Sequence, residues 1–400
     1  MSSLSAAINR IQPSPTLAMT GRVAALKRQG VDVIGLSAGE PDFDTPDFVK
    51  EAAIAAIRAG QTKYTDVDGT PELKAAIAAK FARDNQLHYG LDQISVNAGG
   101  KHTLFNAICA TVGPGDEVVI PAPYWVSYPD IVQYAGGTVV PLPAGANQLY
   151  KILPEQLDAA ITSRTKWVLI NSPSNPTGAA YSADELRALG AVLLRHPHVL
   201  VLTDDMYEHI WYADTKFATI AEVVPELYER TLTVNGASKA YAMTGWRIGY
   251  AGGPAWLIKA MGKLQSQSTS NPCSISQAAA AAALTGDQSF LRERNAAFKA
   301  RRDLVVGLLN QAPGLHCPTP EGAFYVYPDA AGCLGKTTPT GKRIDSDSDL
   351  IDYFLDEARV AAVPGLAFGL SPAFRVSYAT DEDTLRQACA RIADACAALR

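Results

Sequence analysis

The sequence predicts an α/β protein: a large domain on a mostly parallel seven-stranded sheet covered by helices, plus a smaller α+β domain drawn from the two chain ends. Three observations predict it. Short β-branched runs alternate with helical patterns, which gives parallel strands with helices on both faces. The 400 residues, 48% hydrophobic and 19% charged, hold apolar material for more than one core. The alternation then stops near residue 285, where a mixed texture begins.

The elements follow in chain order. Residues 1–45 comprise a Ser- and Pro-rich arm, MSSLSAAINRIQPSPTLAMT, and the run VDVIGLSAGEPDF, which is expected to join the smaller domain. Residues 46–285 form the expected large domain. FVKEAAIAAIRAG and PELKAAIAAKFARDN read as amphipathic helices, the second with Pro71 placed after the capping residue Thr70. The strand candidates are ISVNAG, EVVIPA, TVVPLP, KWVLINSP, VLVLTDD, TLTVNG and RIGYAGG, most of them separated by helical patterns. In residues 286–400 a long helix, SFLRERNAAFKARRDLVVGLLNQ, precedes strand-like GAFYVYP and FRVSYA.

Composition excludes several classes. A net charge of -5 from interspersed acids and bases provides no basic stripe for nucleic acid. Cys109, Cys273, Cys317, Cys333, Cys389 and Cys396 lack the paired spacing of a zinc or redox motif and read as reduced core thiols. The N-terminus shows no basic n-region with an apolar h-region behind it, and no run has the length of a membrane span. The expectation is a soluble, cytoplasmic protein.

Parallel sheets bind ligands at the carboxyl ends of their strands, so polar residues just past apolar runs are candidates. Gly99 and Gly100 sit between a strand and a helix beginning near Lys101, where bare N–H groups suit an anion or simply a tight turn. Asp204 and Asp205 end VLVLTDD, with Tyr207 close behind; a carboxylate there caps a helix, binds a metal or pairs with a cationic nitrogen. Metal ranks last, since His209 is the only nearby imidazole. Asn171 and Asn175 crowd a polar turn, and Trp125 is core or a platform for a flat ring. Lys239 stands among small and apolar neighbours with Arg247 eight positions on. A lysine taken alone ordinarily lies on a surface with its ammonium in water.

Together these features suit a planar, phosphorylated ligand with a phenol oxygen and a ring nitrogen. The motifs AGEPDFDTP, KYTDVDGTPELK, GGK, PYWVSYP, NSPSNPTG, DDMYEH, SKAYAMTGWRIGY, PEGAFYVYP and FRVSYA, in this order over essentially the full length, resemble the fold-type I, class I aminotransferases of the bacterial aspartate aminotransferase subgroup. The resemblance implies pyridoxal 5'-phosphate as cofactor and no metal. It implies that Lys239 holds the cofactor covalently and carries the proton shift, and that Asp204 pairs with the pyridine nitrogen. Tyr207 and Asn175 would bind the phenolic oxygen, and Trp125 would lie against the ring. Gly100, Lys101, Ser238 and Arg247 would grip the phosphate, with Tyr64 reaching in from a neighbouring subunit of a homodimer.

For the substrate, the resemblance implies that Arg375 grips the α-carboxylate and that Gly39, Trp125 and Asn175 also touch it. Some relatives read a second carboxylate with an arginine from the partner subunit. Here Ser266 stands at that position, and Lys101 would meet the distal carboxylate instead. The implied reaction moves an amino group from L-aspartate to 2-oxoglutarate, in ping-pong fashion. Aromatic amino acids or prephenate, alanine and kynurenine are the alternatives on the same scaffold. Subgroup members that aminate prephenate carry a lysine in the N-terminal arm where this chain has Gln12, so weak or absent prephenate activity is expected.

Overall fold

The computed structural model describes residues 3–400. In chain order the elements are α1 (Pro15–Arg28), β1 (Ile34–Gly35), α2 (Asp47–Arg58), α3 (Pro71–Asn85), β2 (Ile94–Asn97), α4 (Gly100–Thr111), β3 (Glu117–Ala122), α5 (Ser127–Ala135), β4 (Thr138–Pro143), α6 (Pro154–Ala160), β5 (Thr165–Asn171), α7 (Ala183–Leu194), β6 (Leu200–Asp204), α8 (Ile220–Val223), β7 (Thr231–Gly236) and β8 (Gly249–Gly252). They continue with α9 (Ala255–Ser266), α10 (Ser274–Thr285), α11 (Phe290–Leu309), β9 (Tyr325–Val326), α12 (Asp347–Tyr353), β10 (Val360–Ala361), β11 (Val363–Pro364), β12 (Phe374–Ser377) and α13 (Glu382–Ala398).

The central sheet has seven strands in the order β2-β8-β7-β6-β5-β3-β4. Only β8 runs antiparallel to its neighbours. Side chains alternate across the sheet, as the twofold repeat of a strand requires. Val118, Ile120, Trp167 and Leu169 pack into one layer, while Val119, Val168 and Ile170 pack into the other. Buried on both sides, these strands need continuous apolar runs, and that is how EVVIPA and KWVLINSP read.

A separate apolar cluster joins Val33, Ile34 and Leu36 to Phe298, Phe324, Val326, Phe354 and Leu385. Here β1 pairs in parallel with β10, so the N-terminal run packs with the C-terminal third. A second small sheet has the antiparallel order β11-β12-β9. GAFYVYP gives only the two residues of β9, flanked by Pro320 and Pro328, which have no N–H to extend a ladder. The caps follow the sequence: Thr70 Oγ1 accepts from Leu73 N at 3.3 Å at the start of α3.

One cysteine departs from expectation. Four are buried and Cys109 is half-buried, but Cys273 is exposed because it occupies the surface position that starts α10. Among the described residues no helix is long and apolar enough to cross a membrane.

Candidate active site

The sheet register places two candidates side by side. Asn171 and Asp204 are paired residues at the C-terminal ends of β5 and β6. Beyond them opens a cavity of about 480 Å³ whose wall also includes Gly39, Gly100, Lys101, Trp125, Asn175, Tyr207, Ser238, Lys239, Arg247 and Arg375. Its volume lies in the range of small-molecule sites.

Lys239 follows β7, and part of its surface faces this cavity. Its Nζ donates to the Gly39 carbonyl at 2.6 Å. Desolvation lowers its pKa to about 8, with Arg375 the leading charge and Arg247 a smaller one. Arg247, eight positions on in the chain, is the cation that the sequence places nearest. Arg375, 136 residues away, contributes more because the fold brings it closer electrostatically.

Asp204 and Asp205 part company here. Asp204 faces the cavity, where its Oδ2 accepts from Tyr128 Oη at 2.7 Å and its Oδ1 from Met206 N at 3.3 Å. Burial raises its pKa, while the Tyr128 bond, the Met206 bond and Lys239 pull it down. Asp205 turns away and accepts from Thr203 Oγ1 at 2.6 Å; burial pushes its pKa up to about 8. Tyr128 is a site residue that the sequence reading quoted without assigning a role. Its place in PYWVSYP, three residues after Trp125 and in the first turn of α5, was the available signal.

The phosphate-type corner is built from backbone. Gly99 has φ +88° and starts α4, whose first N–H groups have no intrahelical partner. A Cβ on Gly99 would collide with the Arg247 guanidinium, one on Gly100 with the Met206 methyl, and one on Gly249 with the Gly100 backbone. Arg247 adopts left-handed φ of +56° and donates to the Thr244 carbonyl at 2.8 Å. Ser238 is buried and lines the same cavity. Bare N–H groups, a helix N-terminus and a guanidinium in a cradle without side-chain bulk form an anion site.

Arg375, on β12, is only 2% exposed. Its Nη1 donates to Asn175 Oδ1 at 2.9 Å and its Nη2 to the Ser37 carbonyl at 2.6 Å, leaving Nε without a partner. Lys101 Nζ lies 5.0 Å from the centre of the Trp125 ring at the cavity mouth. Among the described residues, none of Lys101, Lys239, Arg247 and Arg375 lies within ion-pair distance of a carboxylate. Four cations line one cavity that holds Asp204 and Glu40 as its acids; Arg375 is buried, Lys239 partly buried, and Lys101 and Arg247 exposed, so the cavity presents a positive field suited to anionic ligands.

Not every candidate arrives here. Tyr64 is 90% exposed and outside the cavity. Ser266 is exposed and donates to the Lys263 carbonyl at 2.7 Å. Gln12 is exposed, its backbone N donating to Asp130 Oδ1 at 3.1 Å, whereas Ser14 and Thr16 of the same arm line the cavity. His209 lies away from the cavity, where α3 brings Asp84 beside it and Glu208, with ligand atoms within 4.8 Å of one another. Lys80 already supplies the positive charge there, pairing with Glu208 and lying 3.9 Å from Asp84.

The family model for aminotransferases of class I and II matches residues 31–392. The chain is 60% identical over 399 residues to an aspartate/prephenate aminotransferase of Cereibacter sphaeroides (strain ATCC 17029 / ATH 2.4.9), covering 100% of both chains. It is also 60% identical over 389 residues to an aspartate aminotransferase of Rhizobium meliloti (strain 1021), covering 97% of this chain and 95% of that one. The crystal structure of the aspartate aminotransferase from Rhizobium meliloti superposes with a TM-score of 0.97 at 58% identity, covering 100% of both chains. An aspartate aminotransferase from Thermus thermophilus with maleate gives 0.92 at 43% identity, covering 99% of this chain and 100% of that one. The chain belongs to the class I and II aminotransferase family. It is a transaminase.

Proposed function

We propose that the protein is a pyridoxal 5'-phosphate-dependent aminotransferase acting chiefly on L-aspartate with 2-oxoglutarate, giving oxaloacetate and L-glutamate. The observation that carries this reading is the convergence of four unpaired cations, Lys101, Lys239, Arg247 and Arg375, on one cavity. A phosphate would satisfy Arg247, two substrate carboxylates would satisfy Arg375 and Lys101, and Lys239 would attach the cofactor.

The residues fit the cofactor. The Gly100 and Lys101 N–H groups, Ser238 and Arg247 would hold its phosphate, in the cradle that a Cβ on Gly99 or Gly100 would fill. Asp204 would face the ring nitrogen, Asn175 and Tyr207 the phenolic oxygen, and Trp125 the ring plane. Lys239 would attach it, for which a desolvated amine of lowered pKa is suited. When bound, the cofactor supplies an electron sink for the charge developing at the substrate α-carbon.

The remaining work belongs to side chains. Arg375 presents a planar guanidinium to the α-carboxylate, in a site dry enough to strengthen the pair. The Lys239 amine takes the α-proton and returns it, since a pKa of about 8 leaves it able to act in both senses near neutral pH. Lys101 binds the distal carboxylate together with Ser266 from a second copy of the chain, and the Tyr64 of that copy would reach the cofactor phosphate. The proposal therefore includes a homodimer with shared sites, a cytoplasmic setting, and domains divided at residues 45 and 285.

Aspartate preference is supported by the two relatives named for it and by a neighbour solved with maleate, a dicarboxylate. Screening amino acids in half-reactions, followed by cofactor absorbance, tests it: aspartate and glutamate should react fastest, and faster alanine or aromatic substrates would overturn it. Gln12 provides no ammonium for a further carboxylate. The ratio of kcat/KM for prephenate to that for oxaloacetate should therefore be low, and near-equal values would refute this part.

A further inference from the structure

Tyr325 is completely buried on β9, and the reaction outlined above gives it no task. It nevertheless touches three parts of the site. Its hydroxyl lies 2.9 Å from Tyr207 Oη, and either oxygen can donate. The Arg375 guanidinium carbon sits 4.6 Å from its ring centre. A Cβ on Gly39 would lie 2.8 Å from its Oη, so the loop bearing the Gly39 carbonyl rests on the same atom.

We propose that Tyr325 is a positioning residue: it donates its hydroxyl proton to Tyr207 Oη, turning the Tyr207 proton toward the cofactor's phenolic oxygen, and it relays the charge state of Arg375 to that bond. The inference rests on the cofactor reading above.

The physical case begins with proton counting. A phenol has one proton to donate. If Tyr207 gave its proton to Tyr325, none would remain for the cofactor. The reverse direction frees it. Arg375 over the Tyr325 ring draws electron density from that ring and strengthens its O–H as a donor. The donated bond in turn polarises the Tyr207 O–H in the same sense. Burial raises the Tyr325 pKa and Arg375 offsets part of that rise, as it also does at Tyr207. When a substrate carboxylate pairs with Arg375, its field is offset and both bonds weaken. Substrate capture at Arg375 is thus felt at the cofactor oxygen through Tyr325 and Tyr207 as well as through Asn175, to which Arg375 Nη1 donates directly.

Tyr325→Phe deletes the hydroxyl and keeps the ring beneath Arg375. The readout is the pH midpoint of the visible cofactor band in the holoenzyme, with and without saturating succinate. The free variant should titrate higher by about 0.5 to 1 pH unit, the equivalent of part or all of one neutral hydrogen bond. Made in a Tyr207→Phe background, the same change should add nothing, because the relay is already cut. The succinate-induced shift should shrink as well. An unchanged or lowered midpoint, or an equal shift in both backgrounds, overturns the proposal and assigns Tyr325 to packing. A titrating band in the wild type with no effect of the variant sinks only this inference. A wild type with no bound chromophore sinks the cofactor reading and this inference together.

Discussion

The turn after β6 has two faces, and both bury charge. On the front, Asp204 and Tyr207 look into the cavity. On the back, Glu208 meets α3, where fully buried Lys80 pairs with it and donates to Asn85 Oδ1 at 2.7 Å, while Asn85 Nδ2 donates to Glu208 Oε2 at 2.8 Å. On the back, cation and carboxylate neutralise each other. The front leaves its cations without carboxylate partners and its Arg375 Nε without any. Burial of charge alone does not mark a functional site; an always-charged guanidinium such as Arg375, buried on a cavity wall with no protein carboxylate beside it, does.

The largest expected effect lies on the back. Lys80→Met would strand Glu208 in the core and cost about 3–5 kcal/mol of stability, as breaking a buried pair does. Urea unfolding measures this, and removing Glu208 as well, with Glu208→Leu, should recover most of the loss. Equal destabilisation of single and double variants would show that the pair is not what matters there. On the front the cost should appear in turnover. Asp204→Ala should lower kcat more than Tyr207→Phe, by about 10- to 100-fold, because a charge-assisted bond contributes about 1.5–3 kcal/mol. A milder Asp204 defect would contradict the roles assigned.

A subtler test concerns Lys239 in cofactor-free protein. Competitive amine labelling against pH should give a midpoint of about 8, below the ordinary 10.5 of a lysine. A neighbouring cation disfavours a second one, so Arg375→Gln should raise that midpoint. A wild-type midpoint near 10.5 would mean that the amine is not desolvated.

Much of this comparison was legible in the sequence. Short β-branched runs bounded by Gly and Pro located all seven central strands, and the polar residues just past some of them pointed to Asp204 and the Gly99 turn. What escaped reading depends on distance in the chain. Whether Asp204 or Asp205 faces the cavity is settled by the β6 pleat and by Tyr128, 76 residues upstream. The weight of Arg375 on Lys239, the meeting of Asp84 with His209, and the contact between Tyr207 and Tyr325 across 118 residues come only with tertiary packing. The two-residue strands β1, β10 and β11 are too short for any periodicity to announce. Tyr64 and Ser266 were named through resemblance, and their exposure in the single chain fits no role inside its own cavity.

The central claim is a covalent bond between one lysine and an aldehyde cofactor. Borohydride reduction of the purified protein, followed by peptide mapping, examines that bond directly. A pyridoxyl adduct on the peptide containing Lys239 is the predicted result. An adduct on another lysine, or none after incubation with pyridoxal 5'-phosphate, would contradict the account.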